Sequence, residues 1–193
     1  MTSVSLRRAL ADPGVRPLPD RAVALLEELE APPRLAAHLR LVHEVAWHLT
    51  EWVTANHPAV EFDRAAVLFG AATHDIGKTV HLAELSGPGS LHEQAGYELL
   101  VAQGIDGRLA RFARSHASWG ADLDVEDLLV SLADRIWKAK RVAELEQLVV
   151  DHLAAASGQE SWETFMALDD ELDRIAADAD RRLAFQASYP VSA

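Results

Sequence analysis

The sequence predicts an all-α protein. Apolar residues recur at helical spacing almost throughout, no stretch alternates with period two in Val, Ile and Thr, and prolines, glycines and capping residues fall between the periodic stretches. With 193 residues the chain suits a single domain spanning 1–193 with a substantial core.

The elements follow in order. Pro19 and Asp20 open a first helix over about residues 20–30, which stops before Pro32 and Pro33. A second runs from about Arg34 to Ala55 and ends near Pro58. Asp63 caps a third, "RAAVLFGAATHD", which is apolar nearly all round and so belongs in the middle of a bundle, with Gly77 suited to its C-terminal cap. "TVHLAELSGPGS" reads as a loop ending in a capping box, Ser90-Leu91-His92-Glu93, that starts a fourth helix at Leu91. Gly104 ends this helix, and Asp106 caps a short fifth helix reaching His116. Asp122 or Asp124 begins a long sixth helix, broken near Ser157 and Gly158. A seventh, acidic and amphipathic, spans about 161–183 with Phe165, Leu168, Leu172 and Ile175 as its inner stripe, and 184–193 reads as a loose tail. No repeat or low-complexity segment is present.

Composition narrows the chemistry. A formal net charge of -12 repels polyanions and argues against a general partner among nucleic-acid polymers or anionic membranes. The absence of cysteine excludes disulfides, thiolate ligands and a cysteine nucleophile, so any metal site must use His, Asp and Glu. "MTSVSLRRALADPG" has no apolar signal core, and no apolar run approaches the roughly 18 residues that span a bilayer, which leads us to expect a cytoplasmic protein.

The histidines divide by helical face. On the second helix His38 falls within the apolar sector marked by Leu35, Leu39, Val42 and Ala46, either as a hydrogen-bonded core residue or as a ligand. His43 lies about 140° away and cannot share a site with it, while His48 points to solvent. His57, His81 and His152 read as loop or surface residues. The pair His74-Asp75 ends a helix of Ala, Val, Leu and Phe, where an imidazole and a carboxylate need partners to be buried, and a metal ion would satisfy both. Asp134 sits among Leu129, Leu132, Ala133, Ile136 and Trp137, with Lys138 and Arg141 following on the same face. Beside a metal, either cation suits a phosphate.

Together, "HLRLV" from His38 with Ala46 beyond it, "HDIGK" after an apolar helix, and Asp134 in "LADRIWKAKR" resemble the HD-domain superfamily of metal-dependent phosphohydrolases. The resemblance covers about residues 34–142, leaving the helices at 20–30 and 161–183 as flanks. "LHEQAGYELL" and "ARSHASW" are similar to segments of the two-metal members that carry further ligands, here His92 and His116. The resemblance implies a compact helical bundle with two divalent transition-metal ions at its centre, iron or manganese ahead of nickel, cobalt, zinc or magnesium. It implies His38, His74, Asp75 and Asp134 on one ion and Asp75, His92 and His116 on the other, with Asp75 and Lys78 as catalytic residues. Lys78, Lys138 and Arg141 would bind the phosphate. The substrate implied is a small phosphorylated metabolite or nucleotide, and a homodimer is compatible with the sequence. Other members of the superfamily suggest two alternatives, a di-iron oxygenase and a non-catalytic nucleotide-binding regulator. Ala117 stands where some two-metal relatives carry an aspartate, and the "GYP" extension of cyclic-dinucleotide phosphodiesterases is absent.

Overall fold

The computed structural model describes residues 3–191, and among these it shows ten α-helices and no strand. The first, α1 (Val4–Ala11), is absent from the sequence reading, which needs longer periodicity than two turns. Its signal is local: the Ser3 hydroxyl caps Leu6 N, and Leu6, Ala9 and Leu10 face inward. Then come α2 (Asp20–Glu28), α3 (Pro33–Asn56) and α4 (Arg64–Thr73), the last capped by Asp63 through Ala66 N at 3.0 Å. Two single 3₁₀ turns, Ile76–Thr79 and Leu82–Leu85, lead to α5 (Leu91–Ala102), α6 (Gly107–Ser115), α7 (Val125–Ile136), α8 (Ala143–Ser157), α9 (Ser161–Ala176) and α10 (Ala179–Ala187). No helix among the described residues is long and apolar enough to cross a membrane.

Two apolar clusters meet along α3 and α4. One joins Leu41, Val45 and Leu49 of α3 to Leu128, Leu132, Val149, Leu168 and Leu172 of α7, α8 and α9. The other joins Leu35 and Leu39 to Leu6, Leu25, Ile76 and Leu100. α4 gives Val67 and Ala71 to the first cluster and Phe69 and Ala72 to the second, as its all-round apolar pattern predicts for a central helix.

The structure corrects several boundaries. The expected long sixth helix breaks after Ile136 into α7 and α8, although no glycine or proline marks the place. Ala139 adopts φ 59°, Lys140 N reaches back to Arg135 O at 3.1 Å, and Glu146 accepts from both Val142 N and the Arg141 guanidinium, closing the turn with side chains. The seventh helix likewise divides at Ala177 and Asp178. Phe165 lies off the inner stripe and is 41% exposed, its place taken by Thr164 and Glu171 beside Leu168, Leu172 and Ile175.

The expected loose tail is anchored: α10 continues to Ala187, Tyr189 is buried with its hydroxyl donating to Asp12 Oδ2 at 2.8 Å, and Arg34 N donates to Pro190 O. Residues 192 and 193 of that tail lie outside the described residues. Two buried arginines tie distant segments through backbone carbonyls. Arg40 of α3 donates to Ala9, Asp12, Val15 and Arg16, and Arg182 of α10 donates to Trp137 O and Ile175 O. Each guanidinium thereby satisfies carbonyls at helix ends and in the turns beyond them.

Ala139 carries the backbone strain of a left-handed residue with a Cβ, about 1 kcal/mol. Ala139→Gly is therefore expected to raise stability by roughly 0.5–1 kcal/mol and Ala139→Val to lower it. Urea unfolding midpoints of the three proteins check this.

Candidate metal centre

Six residues from distant parts of the chain converge at the middle of the bundle. His38 projects from α3 and Asp134 from α7. His74 and His116 terminate α4 and α6, Asp75 leads into the first 3₁₀ turn, and His92 is the second residue of α5. All six are buried.

The two oxygens of Asp75 face two different groups. Oδ2 lies 3.2 Å from His38 Nε2 and 3.7 Å from His74 Nε2, while Asp134 Oδ1 lies 3.6 and 3.4 Å from the same two nitrogens. Oδ1 lies 3.1 Å from His92 Nε2 and 3.4 Å from His116 Nε2. Donor atoms around one ion with bonds of about 2.1 Å stand roughly 3.0–3.5 Å apart, so both groups have the right span for a divalent ion.

The chain also prepares the lone pairs. His74 Nδ1 and His116 Nδ1 each donate to the carbonyl three residues earlier, Ala71 O and Ala113 O, both at 3.0 Å. His92 Nδ1 donates to Glu84 Oε2 at 2.5 Å. With Nδ1 carrying the proton, Nε2 of each ring presents a lone pair to the centre. Asp75 Oδ1 and His92 Nε2 consequently face one another while buried and without a hydrogen-bond partner. Two acceptors left in this state call for a cation between them. The donor set of imidazoles and carboxylates fits divalent metal binding.

Glu84 is the functional residue that the sequence reading missed. It also accepts from Leu91 N and His92 N at 3.1 Å each, which makes it the cap of α5 in place of Ser90, whose side chain makes no capping bond. Nothing in the spacing of "HLAELSGPGS" marks it, because the contact depends on how the loop folds back. Gly77 is similarly reassigned. Its φ is not positive, and its role is close approach: a Cβ there would stand 2.0 Å from His92 O.

A cleft of about 260 Å³ opens onto His38 and Asp75. Lys78 lines it, with Nζ 2.5 Å from Asp75 Oδ2, and Arg34 and Lys138 add two further cations. Leu35, Leu85 and Trp137 form apolar walls, Trp137 with its ring 5.0 Å from that of His38, and α10 contributes Leu183 and Gln186. Arg34 precedes His38 by four residues on the same helical face, a signal that was available. Arg141 is not in this cleft. Its guanidinium pairs with Glu146, Asp169 and Asp173, which leaves it no role as a phosphate ligand.

His43 belongs to neither donor group, and burial with Arg16 and Arg40 nearby lowers it to about 4. His48 is exposed as expected, but His57 is buried, its Nδ1 bonded to Ser157 Oγ and its ring beside Trp52.

The protein is thus a metal-binding helical bundle. The HD-domain family matches residues 35–139, more than half of the chain, and the chain belongs to that family. A tRNA (cytidine(56)-2'-O)-methyltransferase of Picrophilus torridus is 25% identical over 146 residues, covering 67% of this chain and 39% of the relative. The chain therefore spans about two fifths of that protein's length. No solved structure matches.

Electrostatics set the pH dependence. Burial pushes His74 down, but Asp75 and Asp134 outweigh it and hold the imidazole above its ordinary value; His92 is raised against burial by Asp75 and Glu84. His38 is lowered by burial, which its carboxylate neighbours only partly oppose. In the metal-free protein, the His74 and His92 contribution to stability is complete below about pH 6.5 and is lost as pH rises through their raised folded values. His38 acts oppositely, its contribution being lost on acidification. Metal must displace the protons on His74 and His92. Its affinity is therefore expected to fall as pH drops through their raised values, beginning above the ordinary histidine range of about 6.5, by roughly tenfold per pH unit for each histidine that must release a proton. Calorimetric manganese titrations across pH check this. Glu84→Ala is expected to weaken binding at the His92 and His116 group by about 10–100-fold while circular dichroism stays helical.

Proposed function

We propose that the protein is a metal-dependent phosphohydrolase that cleaves a small phosphate ester or nucleotide with two divalent ions, iron or manganese, joined by Asp75. One observation carries this reading: each Asp75 oxygen faces its own set of imidazole Nε2 atoms, 3.1–3.4 Å away on one side and 3.2–3.7 Å on the other. When bound, such ions supply Lewis acidity to phosphoryl oxygens and lower the pKa of an attacking water.

The chain's residues do the rest. His38, His74, Asp75 and Asp134 would hold one ion, and Asp75, His92 and His116 the other. Lys78 Nζ, fixed against Asp75 at the cleft floor, donates a hydrogen bond to a phosphate oxygen or to the ester oxygen that departs. As water oxygen bonds to phosphorus, the phosphorus–ester oxygen bond breaks; the attacking water gives up a proton and the departing oxygen gains one, so that inorganic phosphate and an alcohol leave. Burial of the centre strengthens the electrostatic interactions that its charged groups make with a phosphate. The cations Arg34, Lys78 and Lys138 favour a phosphate-bearing substrate over the unphosphorylated substrate of an oxygenase.

Phosphate release from a panel of esters is expected to require added manganese or iron(II). It should fall by at least about 10³-fold in Asp75→Asn and in His74→Ala. Oxygen consumption without phosphate release would instead establish the oxygenase.

A further inference from the structure

The cleft above the metal centre has an uneven distribution of charge. In a chain with 30 acidic and 18 basic residues, three cations line it and the only acid is Asp75, which belongs to the donor set. Lys78 is engaged by Asp75 at the floor. Arg34 and Lys138 stand apart from that arrangement. Neither pairs with a carboxylate among the described residues. Among the described residues the Arg34 guanidinium donates to the carbonyls of Tyr189 at 2.9 Å and Ala187 at 3.5 Å, and Lys138 lies 5.6 Å from the Trp137 ring.

The Arg34 guanidinium is held by hydrogen bonds, and Lys138 by the backbone of its turn. Arg34 stands in the first turn of α3, one turn before His38, and its carbonyl partners lie at the last residue of α10 and two residues beyond it. Lys138 sits in the turn after α7, where Trp137 O accepts from Arg182 at 2.6 Å and Ala139 takes its left-handed conformation. The Gln186 amide of α10 completes the rim. Arg34 and Gln186 lie outside the stretch that the HD family matches.

We propose that the substrate is a compact phosphate monoester carrying a second anionic group, a carboxylate or another phosphate, which Arg34, Lys138 and Gln186 hold while Lys78 attends the phosphate under attack. This rests on the hydrolase reading. The cleft, about 260 Å³, falls below the range of roughly 300–1,000 Å³ usual for drug-sized ligands, so it suits a short carbon skeleton. Leu35 and Trp137 give that skeleton an apolar wall. Two cations without carboxylate partners near the site match a second charge at the far end of such a molecule.

The test compares matched pairs on the manganese-loaded full chain: glycerol 3-phosphate with 3-phosphoglycerate, and fructose 6-phosphate with fructose 1,6-bisphosphate. The member with the second anionic group in at least one pair is expected to have about tenfold higher kcat/KM, expressed in KM. The pair that shows the preference tells carboxylate from phosphate. Arg34→Gln and Lys138→Gln should each reduce the preference by about tenfold, and Lys138, exposed and without an ion-pair partner, gives a variant whose folding is secure. Equal kcat/KM within both pairs, or a preference unchanged in both variants, overturns the proposal while leaving the hydrolase intact. If no ester is cleaved, the hydrolase reading fails, and calorimetric binding of the same pairs decides this one. Tighter binding of the member with the second anionic group, weakened in Lys138→Gln, sustains the anion site, and equal binding removes it.

Discussion

The Asp75 carboxylate is the constraint around which this bundle is organised. It is 2% exposed, and its negative charge would cost several kcal/mol to bury without compensation. His38, His74, His92, His116 and Lys78 surround it, and the histidines and Lys78 come from four separate helices and the 3₁₀ turn between them. Burial works against its ionisation, yet these neighbours hold Asp75 well below the usual carboxylate range, and Asp134 is held low in the same way by His74 and His38. The site therefore keeps two ionised carboxylates under a ring of imidazoles whose Nε2 atoms turn inward, a donor set open to a divalent ion once His74 and His92 release their protons.

Helix ends make that construction economical. An imidazole that ends a helix can bond a carbonyl in its own last turn, as His74 and His116 do, and so fixes its tautomer without help from another element. His92, at a helix start, has no such carbonyl and borrows Glu84 from the preceding loop. The same carboxylate caps α5, so ordering the loop, starting the helix and orienting the ligand are one event.

The all-α architecture and the six converging residues were legible because they depend on local information: periodicity, capping residues and short motifs whose residue types resemble a known family. What local information lacks is where the chain returns. The break between α7 and α8 is made by Ala139 in a left-handed conformation and by the Arg141–Glu146 pair, neither of which has a glycine or proline to announce it. Arg141 read as a free cation for the same reason, its acidic partners Asp169 and Asp173 lying a helix away in sequence. The tail read as loose because Tyr189 is anchored on Asp12, at the other end of the chain. His57 read as a surface residue because Ser157, its partner, lies in a different helix.

Arg182 gives that long-range connectivity a further meaning. Its guanidinium holds the carbonyl of Trp137, and the Trp137 ring rests against His38. The stretch that defines the family ends at residue 139, but a carbonyl within it is satisfied from residue 182, and its core is closed by Leu168, Leu172 and Ile175. The segment that is inherited as a recognisable module and the segment that can stand as a folded body are thus of different lengths. Grafting the module into another protein would mean carrying its C-terminal helices with it.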